Sequence, residues 1–347
     1  MKKVILTLLV MTTLPVVAQT EVNMFNPGFG EGVTYTLPQT VLNITVEAEC
    51  ITRTPGEFSR FADRFLRIND AISQEEKYWE LTGVKLTTSG VPDPDKMYTI
   101  KLNNSSASNV VLNEDGIIES INCKIEKNEE SQTTKQHVER IDAKQYMTEE
   151  ILQATSTAKM AELTAKEIYA IRESKMAITR GTADNMPKDG LSMQLVLNEL
   201  NTQEMALTQL FTGYIDTVKY TCNIKLTPAV QNNTEKNILF RFSRKLGILE
   251  KDNLAGKPIY YDFTSKNVII PATDGKKIVK KEGICYNVPG RAQVRIYTPS
   301  ETYFDEEVPI AQLGNVEILS KSLFNKNADT QVVFDTATGG IIRIDKE

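Results

Sequence analysis

Two stretches of strict alternation constrain this chain more than any other feature. Over 218–226, Val218, Tyr220, Cys222, Ile224 and Leu226 alternate with Lys219, Thr221, Asn223 and Lys225 without a break. Over 42–50, Leu42, Ile44, Val46, Ala48 and Cys50 alternate with Asn43, Thr45, Glu47 and Glu49. Successive side chains of an extended strand point to opposite faces, so this period of two predicts strands with one buried and one wet face. One-sided strands of this kind belong to antiparallel sheets.

Around these strands the chain divides by composition. After the strand at 42–50, Pro55-Gly56 opens a short amphipathic helix carrying Phe58, Phe61, Phe65 and Leu66 on one side. Strand-like runs follow at 78–86, 98–102 and 110–112, and Asn113-Glu114-Asp115-Gly116 joins the last of these to 117–121 as a hairpin. Pro92-Asp93-Pro94-Asp95 reads as a turn, because proline presets φ and aspartate bonds its own backbone. Residues 124–147 are polar and charged with few apolar anchors, the composition of a linker. A helical block is predicted over 148–213. Its first helix starts at Thr148, carries Ile151, Ala154, Ala158, Ala161, Ala165 and Ile168 along one seam, and stops at Gly181. Two shorter helical runs follow the turn at 184–190, the second opened by an Asn201/Glu204 capping box. From 214 to the end the pattern is β again, with strands expected at 238–242, 259–263, 292–297, 316–319 and 331–334 and a closing hairpin over 332–342. The expected fold is α+β: an N-terminal β unit with a short helix (19–123), a charged linker (124–147), a long helical block (148–213) and a C-terminal β unit (214–347), both units mainly antiparallel.

The first eighteen residues read as a signal peptide. Lys2 and Lys3 precede the apolar run Val4-Ile5-Leu6-Thr7-Leu8-Leu9-Val10-Met11, and Val16 and Ala18 are small residues at the positions a signal peptidase reads. The run is shorter than the ~20 apolar residues of a spanning helix. Cleavage after Ala18 leaves no cysteine near the new N-terminus, so the mature chain is expected to be exported without a lipid, to the periplasm or the outer-membrane surface. The whole chain of 347 residues has a formal net charge of −5, and losing Lys2 and Lys3 makes the mature part more acidic. That balance argues against nucleic acid, whose phosphates demand clustered Lys and Arg. No second run of spanning length follows, so no transmembrane segment is expected in the mature chain.

Cys50, Cys123, Cys222 and Cys285 are widely spread with no C-x-x-C pair, which removes the common zinc and redox spacings. Two readings stay open for them: disulfides within each β unit, Cys50 with Cys123 and Cys222 with Cys285, as an oxidising compartment permits, or four buried thiols.

The inventory for catalysis is thin. His137, the single histidine, lies in the charged 124–147 stretch without packing neighbours, a poor setting for a catalytic base. There is no G-x-S-x-G elbow or P-loop, and the glycine-rich 26–32 segment follows the leader directly instead of a strand. Asp184, Asn185 and Asp189, and likewise Asp93 and Asp95, offer oxygens for Ca²⁺ without the spacing of an EF-hand. Carboxylate pairs for glycoside cleavage meet only in the fold. Tyr260, Tyr261, Tyr297, Tyr303 and Phe304 suit either a ligand surface or cross-strand packing. No catalytic residue, metal site or cofactor is expected.

Taken along its length, the chain resembles an uncharacterised exported family of Bacteroidetes known only as a domain of unknown function. The likeness is carried by Tyr35-Thr36-Leu37-Pro38-Gln39-Thr40, Pro92-Asp93-Pro94-Asp95-Lys96-Met97-Tyr98, Asp189-Gly190-Leu191, Leu210-Phe211-Thr212-Gly213 and Phe334-Asp335-Thr336-Ala337-Thr338-Gly339-Gly340. The resemblance implies an envelope location and no assigned activity. It also implies acidic-hydroxyl-aliphatic O-glycosylation triplets at Thr217 and Thr336. The function expected is that of an exported, non-enzymatic envelope protein that binds or scaffolds an envelope protein or polysaccharide. The alternative is a secreted glycan hydrolase working through paired carboxylates.

Overall fold

The computed structural model describes residues 21–24, 32–101, 110–123, 142–184, 189–229, 233–267, 283–324 and 330–346. In chain order its first strands are β1 (Glu21–Met24), β2 (Val33–Thr54), β3 (Glu76–Lys101), β4 (Val110–Leu112) and β5 (Ile118–Ile121). The helices are α1 (Ala62–Leu66), between β2 and β3, then α2 (Glu149–Leu152), α3 (Thr157–Arg180) and α4 (Gly190–Thr212). The remaining strands are β6 (Tyr214–Leu226), β7 (Thr234–Ser243), β8 (Gly247–Leu249), β9 (Lys257–Asn267), β10 (Gly283–Tyr297), β11 (Thr302–Ser320), β12 (Thr330–Phe334) and β13 (Ile341–Lys346).

These strands build three antiparallel sheets, ordered β1-β3-β2-β6, β11-β10-β9-β7-β8 and β13-β12-β5-β4. The expectation of two β units held apart by a linker and a long helical block is therefore corrected: the protein is mostly antiparallel sheet, and two of its three sheets mix both halves of the chain. The reason lies in the alternation itself. β2 has two long sides to pair, and β6 matches its pattern residue for residue, setting Leu42 beside Leu226, Ile44 beside Ile224, Val46 beside Cys222 and Cys50 beside Val218. The two similar hairpins, β4–β5 and β12–β13, likewise meet in one sheet through β5 and β12.

The first two sheets face each other as a sandwich. Ile44, Val46 and Val84 meet Phe240, Ile259 and Ile296, and farther along Leu42 meets Phe263, Val294, Val308 and Ile310. Each such side chain contributes roughly 1.5–3 kcal/mol by leaving water. The third sheet closes one end, packing Ile118, Ile121, Val332 and Phe334 on Tyr35, Leu37, Ile100 and Ile284. The segment expected to turn at 92–95 instead runs on as part of β3. Pro92 sits opposite Pro38 beside a register shift, where neither missing N–H breaks a ladder bond.

The helices occupy the other end, at the connection between β2 and β3. Helix formation stops after α2 and restarts at α3, whose first turn is capped by Ser156 Oγ accepting from the Lys159 N–H. α4 is one continuous helix, capped by Asp189, in place of the two expected runs. Ala161, Ala165 and Ile168 pack on Phe58, Leu66, Leu207 and Phe211, and the Phe58 N–H donates to the Leu210 carbonyl at 2.7 Å. Among the described residues no helix is long and apolar enough to cross a membrane. The predicted signal peptide, His137 and most of the charged linker lie outside the described residues.

Candidate functional site

The chain enters β6 from α4 through Gly213, whose φ of 77° only glycine adopts without strain. A Cβ there would collide with the Thr54 carbonyl oxygen. β6 then pairs with β2 from Tyr214 opposite Thr54 to Leu226 opposite Leu42, with no register shift. It is the last strand of its sheet, so its other long side pairs with no strand among the described residues.

Which backbone groups face outward follows from β2. The Trp79 N–H donates away from β2, to the Arg244 carbonyl at 2.7 Å. The Cys50–Trp79 pair is therefore one of the non-bonded pairs that alternate along an antiparallel ladder, and Cys50 turns its N–H and C=O toward Val218. Thr40 agrees with this parity. Just beyond the end of β6, the Gln312 side chain stands in for a strand: its Oε1 accepts from the Thr40 N–H at 3.0 Å and its Nε2 donates to the Thr40 carbonyl at 2.8 Å. Even-numbered residues of β6 thus bond to β2. The N–H and C=O groups of Ile215, Thr217, Lys219, Thr221, Asn223 and Lys225 point to the open side.

The other sheet margins are short or interrupted. β1 has four residues, β4 and β8 three each and β13 six. β1 covers β3 only from Tyr98 to Lys101, and the rest of that side of β3, with no strand beside it among the described residues, is broken by two register shifts, Gly83, Gly90, Pro92 and Pro94, with the Trp79 N–H taken by Arg244. β11 is long, but its pairing with β10 shifts register twice, Pro309 lacks a donor, and the Ala311 N–H is taken by Thr40 Oγ1 at 3.0 Å. Short strands, proline, bulges and charged side chains, lysine above all, are the usual protections of an edge, and β6 has only the last of these, in Lys219 and Lys225. The thirteen residues of β6 contain no proline, glycine or bulge.

Side chains along this edge differ by face. The even side carries Val218 and Tyr220, 51% and 46% exposed. Tyr220 packs on Trp79, with ring centroids 4.6 Å apart. The odd side carries Lys219, whose ammonium stands 3.7 Å from Glu49, and Asn223, which accepts from Thr45 Oγ1 at 3.0 Å. Ile215, on the odd side, is 56% exposed.

The structure gives the other sequence candidates ordinary roles. Two shallow depressions on the α3–α4 hairpin share Arg172 and Glu204 and contain that one carboxylate, so neither supplies a glycosidase pair. Glu204 accepts from Arg172 Nε at 2.6 Å and from Lys175 Nζ. Burial pushes its carboxyl up, but the hydrogen bonds from Lys175 and Arg172 outweigh that and hold it below the usual range. Asp93 forms an ion pair with Lys96 at 3.6 Å and accepts from the Asp95 N–H, and Asp189 Oδ1 accepts from the Ser192 N–H at 2.8 Å. Tyr260 and Tyr297 are a cross-strand pair with centroids 5.9 Å apart, while Tyr261, Tyr303 and Phe304 pack against the sandwich core.

The structure joins none of Cys50, Cys222 and Cys285 in a disulfide. Cys222 and Cys285 lie on different sheets and in different core clusters, and Cys50 is buried on β2. Cys123 follows β5, where its carbonyl accepts from Ser120 Oγ at 2.7 Å. Of the two glycosylation candidates, Thr217 is exposed on the open edge, whereas Thr336 is half-buried in a turn packed on Gly90.

Fold and site together define a β-sandwich protein with a helical end and, in β6, a long sheet edge that no proline or bulge interrupts and that has no strand beside it among the described residues. Residues 31–342 match the family model described as Domain of unknown function (DUF4831), and the chain belongs to that family. No curated protein and no solved structure matches it.

Proposed function

We propose that this is an exported, non-enzymatic protein of a Bacteroidetes cell envelope. It holds a periplasmic or outer-membrane protein by adding an extended segment of that partner beyond β6. The observation that carries the reading is the open side of β6: six outward-facing residues at alternate positions, with no proline or bulge, on a strand anchored along its whole length to the sandwich. Such an edge is complementary to any extended backbone, and strand addition of this kind gains affinity from main-chain hydrogen bonds and selectivity from alternate side chains. The leader with Lys2, Lys3 and Ala18 supports export.

A photoreactive phenylalanine in place of Thr221, in the exported full chain, tests the reading. Irradiation of whole cells is expected to yield a discrete covalent adduct with an envelope protein, and the same probe at Glu173, exposed on α3 at the helical end, is expected to yield none. Absence of any adduct from Thr221 in correctly exported protein would sink the proposal. N-terminal sequencing of the exported species checks the leader: the mature chain begins at Gln19, and an intact Met1 would contradict export by cleavage.

A further inference from the structure

We infer that the segment β6 accepts is acidic on one face and apolar on the other. Two acids stand six positions apart, and the one beside Lys219 is flanked on both sides by apolar residues. This deepens the strand-addition reading and rests on it. In an antiparallel or parallel pair, side chains opposite one another share a face of the sheet. An incoming strand therefore meets Ile215, Thr217, Lys219, Thr221, Asn223 and Lys225 on one face, and on the other Asp216 at the start of the strand followed by Val218 and Tyr220.

The first of these faces is cationic at the margin. Glu49 approaches Lys219 from the β2 side at 3.7 Å, yet the lysine side chain remains 83% exposed. Lys225 lies opposite Asn43 and has no ion-pair partner among the described residues. The nearest carboxylates on this face, Glu47 and Glu49, stand on β2, and Glu47 is held by Lys85 at 2.7 Å. A strand on the open side is therefore the one element that can set acids directly against both lysines. On the other face, Tyr220, backed by Trp79, and Val218 present half-exposed apolar surface to the two residues flanking that acid. A second copy of β6 does not fit this demand. Directly opposite residues in a two-fold antiparallel pair have the same parity, and no odd-numbered residue of β6 is acidic.

The test uses the mature full chain and two fluorescent eleven-residue strand peptides of that pattern, one with glutamates at the two charged positions and one with lysines. Fluorescence anisotropy is expected to show the glutamate peptide binding at least tenfold more tightly at low ionic strength, with the gap narrowing as salt screens the exposed charges. Lys219→Glu with Lys225→Glu is expected to reverse the preference. Lys219→Gln with Lys225→Gln, the milder change, is expected to reduce it to within about twofold, the level at which weak exposed charge pairs vanish. Thr221→Pro, which deletes one outward N–H, is expected to abolish binding of both peptides. Equal affinity for both, lost in Thr221→Pro, would overturn the charge inference and leave strand addition standing. Binding that survives Thr221→Pro would overturn strand addition itself. Failure of the glutamate peptide to bind would overturn the inference.

Discussion

The phenol of Tyr35 takes both backbone groups of Cys285, accepting from its N–H at 2.9 Å and donating to its carbonyl at 3.1 Å. β9 covers β10 only from Arg291 to Tyr297, so among the described residues the earlier part of β10 has no strand on that side, and one side chain from β2 fills the place at Cys285. Both residues are buried. Tyr35→Phe keeps the ring and orphans both groups, so it should destabilise the protein by about 2–6 kcal/mol, at about 1–3 kcal/mol for each buried unpaired group. Urea unfolding checks this. A loss well under 1 kcal/mol would mean that water reaches Cys285.

The same cluster makes the protein sensitive to alkali. Burial pushes the Tyr35 phenol well above its ordinary value, Tyr98 up to about 12 and the Cys285 thiol up to about 11. All three are neutral when protonated, so the folded chain keeps protons that the unfolded chain releases. Stability is then full below the ordinary values of 9.0 for the thiol and 10.0 for the phenols, and falls as pH rises through them toward 11 and 12. Urea midpoints between pH 8 and 11 should fall steadily above pH 9, and less steeply in Tyr35→Phe, which removes one of these groups.

Gln312 shows a side chain doing the work of a strand at a second place, closing the ladder of β2 where β6 ends. Replacing it by alanine leaves the Thr40 N–H and C=O without those partners and should cost about 1–3 kcal/mol. Gln312→Glu should be nearly as damaging, because a carboxylate accepts from the N–H but cannot donate to the carbonyl.

Proline distinguishes the two sides of β6. Val218→Pro deletes an N–H that bonds β2 and should lower stability by ~3 kcal/mol or more, whereas Thr221→Pro deletes an outward N–H and should cost less than ~1 kcal/mol. Thermal melts of the two variants check the assigned parity. Equal losses, or a larger loss in Thr221→Pro, would reverse it.

Much of the strand content was legible because period two is a local property: the stretches at 42–50 and 218–226 are both strands, the first with one face buried, the second with Val218 and Tyr220 left half-exposed. Their pairing with one another was not legible. Alternation decides which face a residue takes, and the partner is chosen across the fold by matching lengths and registers. That is why the two halves of the chain share sheets instead of forming separate units. Helix ends misled for a related reason. Asn201 and Glu204 have the spacing of a capping box, but they are occupied by Lys175 and Arg172 across the helix pair, so α4 runs through them. Pro92 and Pro94 suggested a turn because proline excludes ladder bonds, and the structure accommodates them where a register shift needs none. The open edge itself has no local signal. Whether an N–H of β6 points to β2 or to solvent depends on a hydrogen bond made elsewhere, between Trp79 and Arg244.

Residue-resolved amide hydrogen exchange along β6, in the free mature protein and in complex with a captured strand, tests the open edge most directly. In the free protein the amides of Val218, Tyr220, Cys222 and Ile224 should exchange slowly and those of Thr217, Lys219, Thr221 and Asn223 rapidly, and adding the strand should slow the second set alone. Slow exchange at Thr217, Lys219 and Thr221 in the free protein, unchanged on adding the strand, would contradict an open edge.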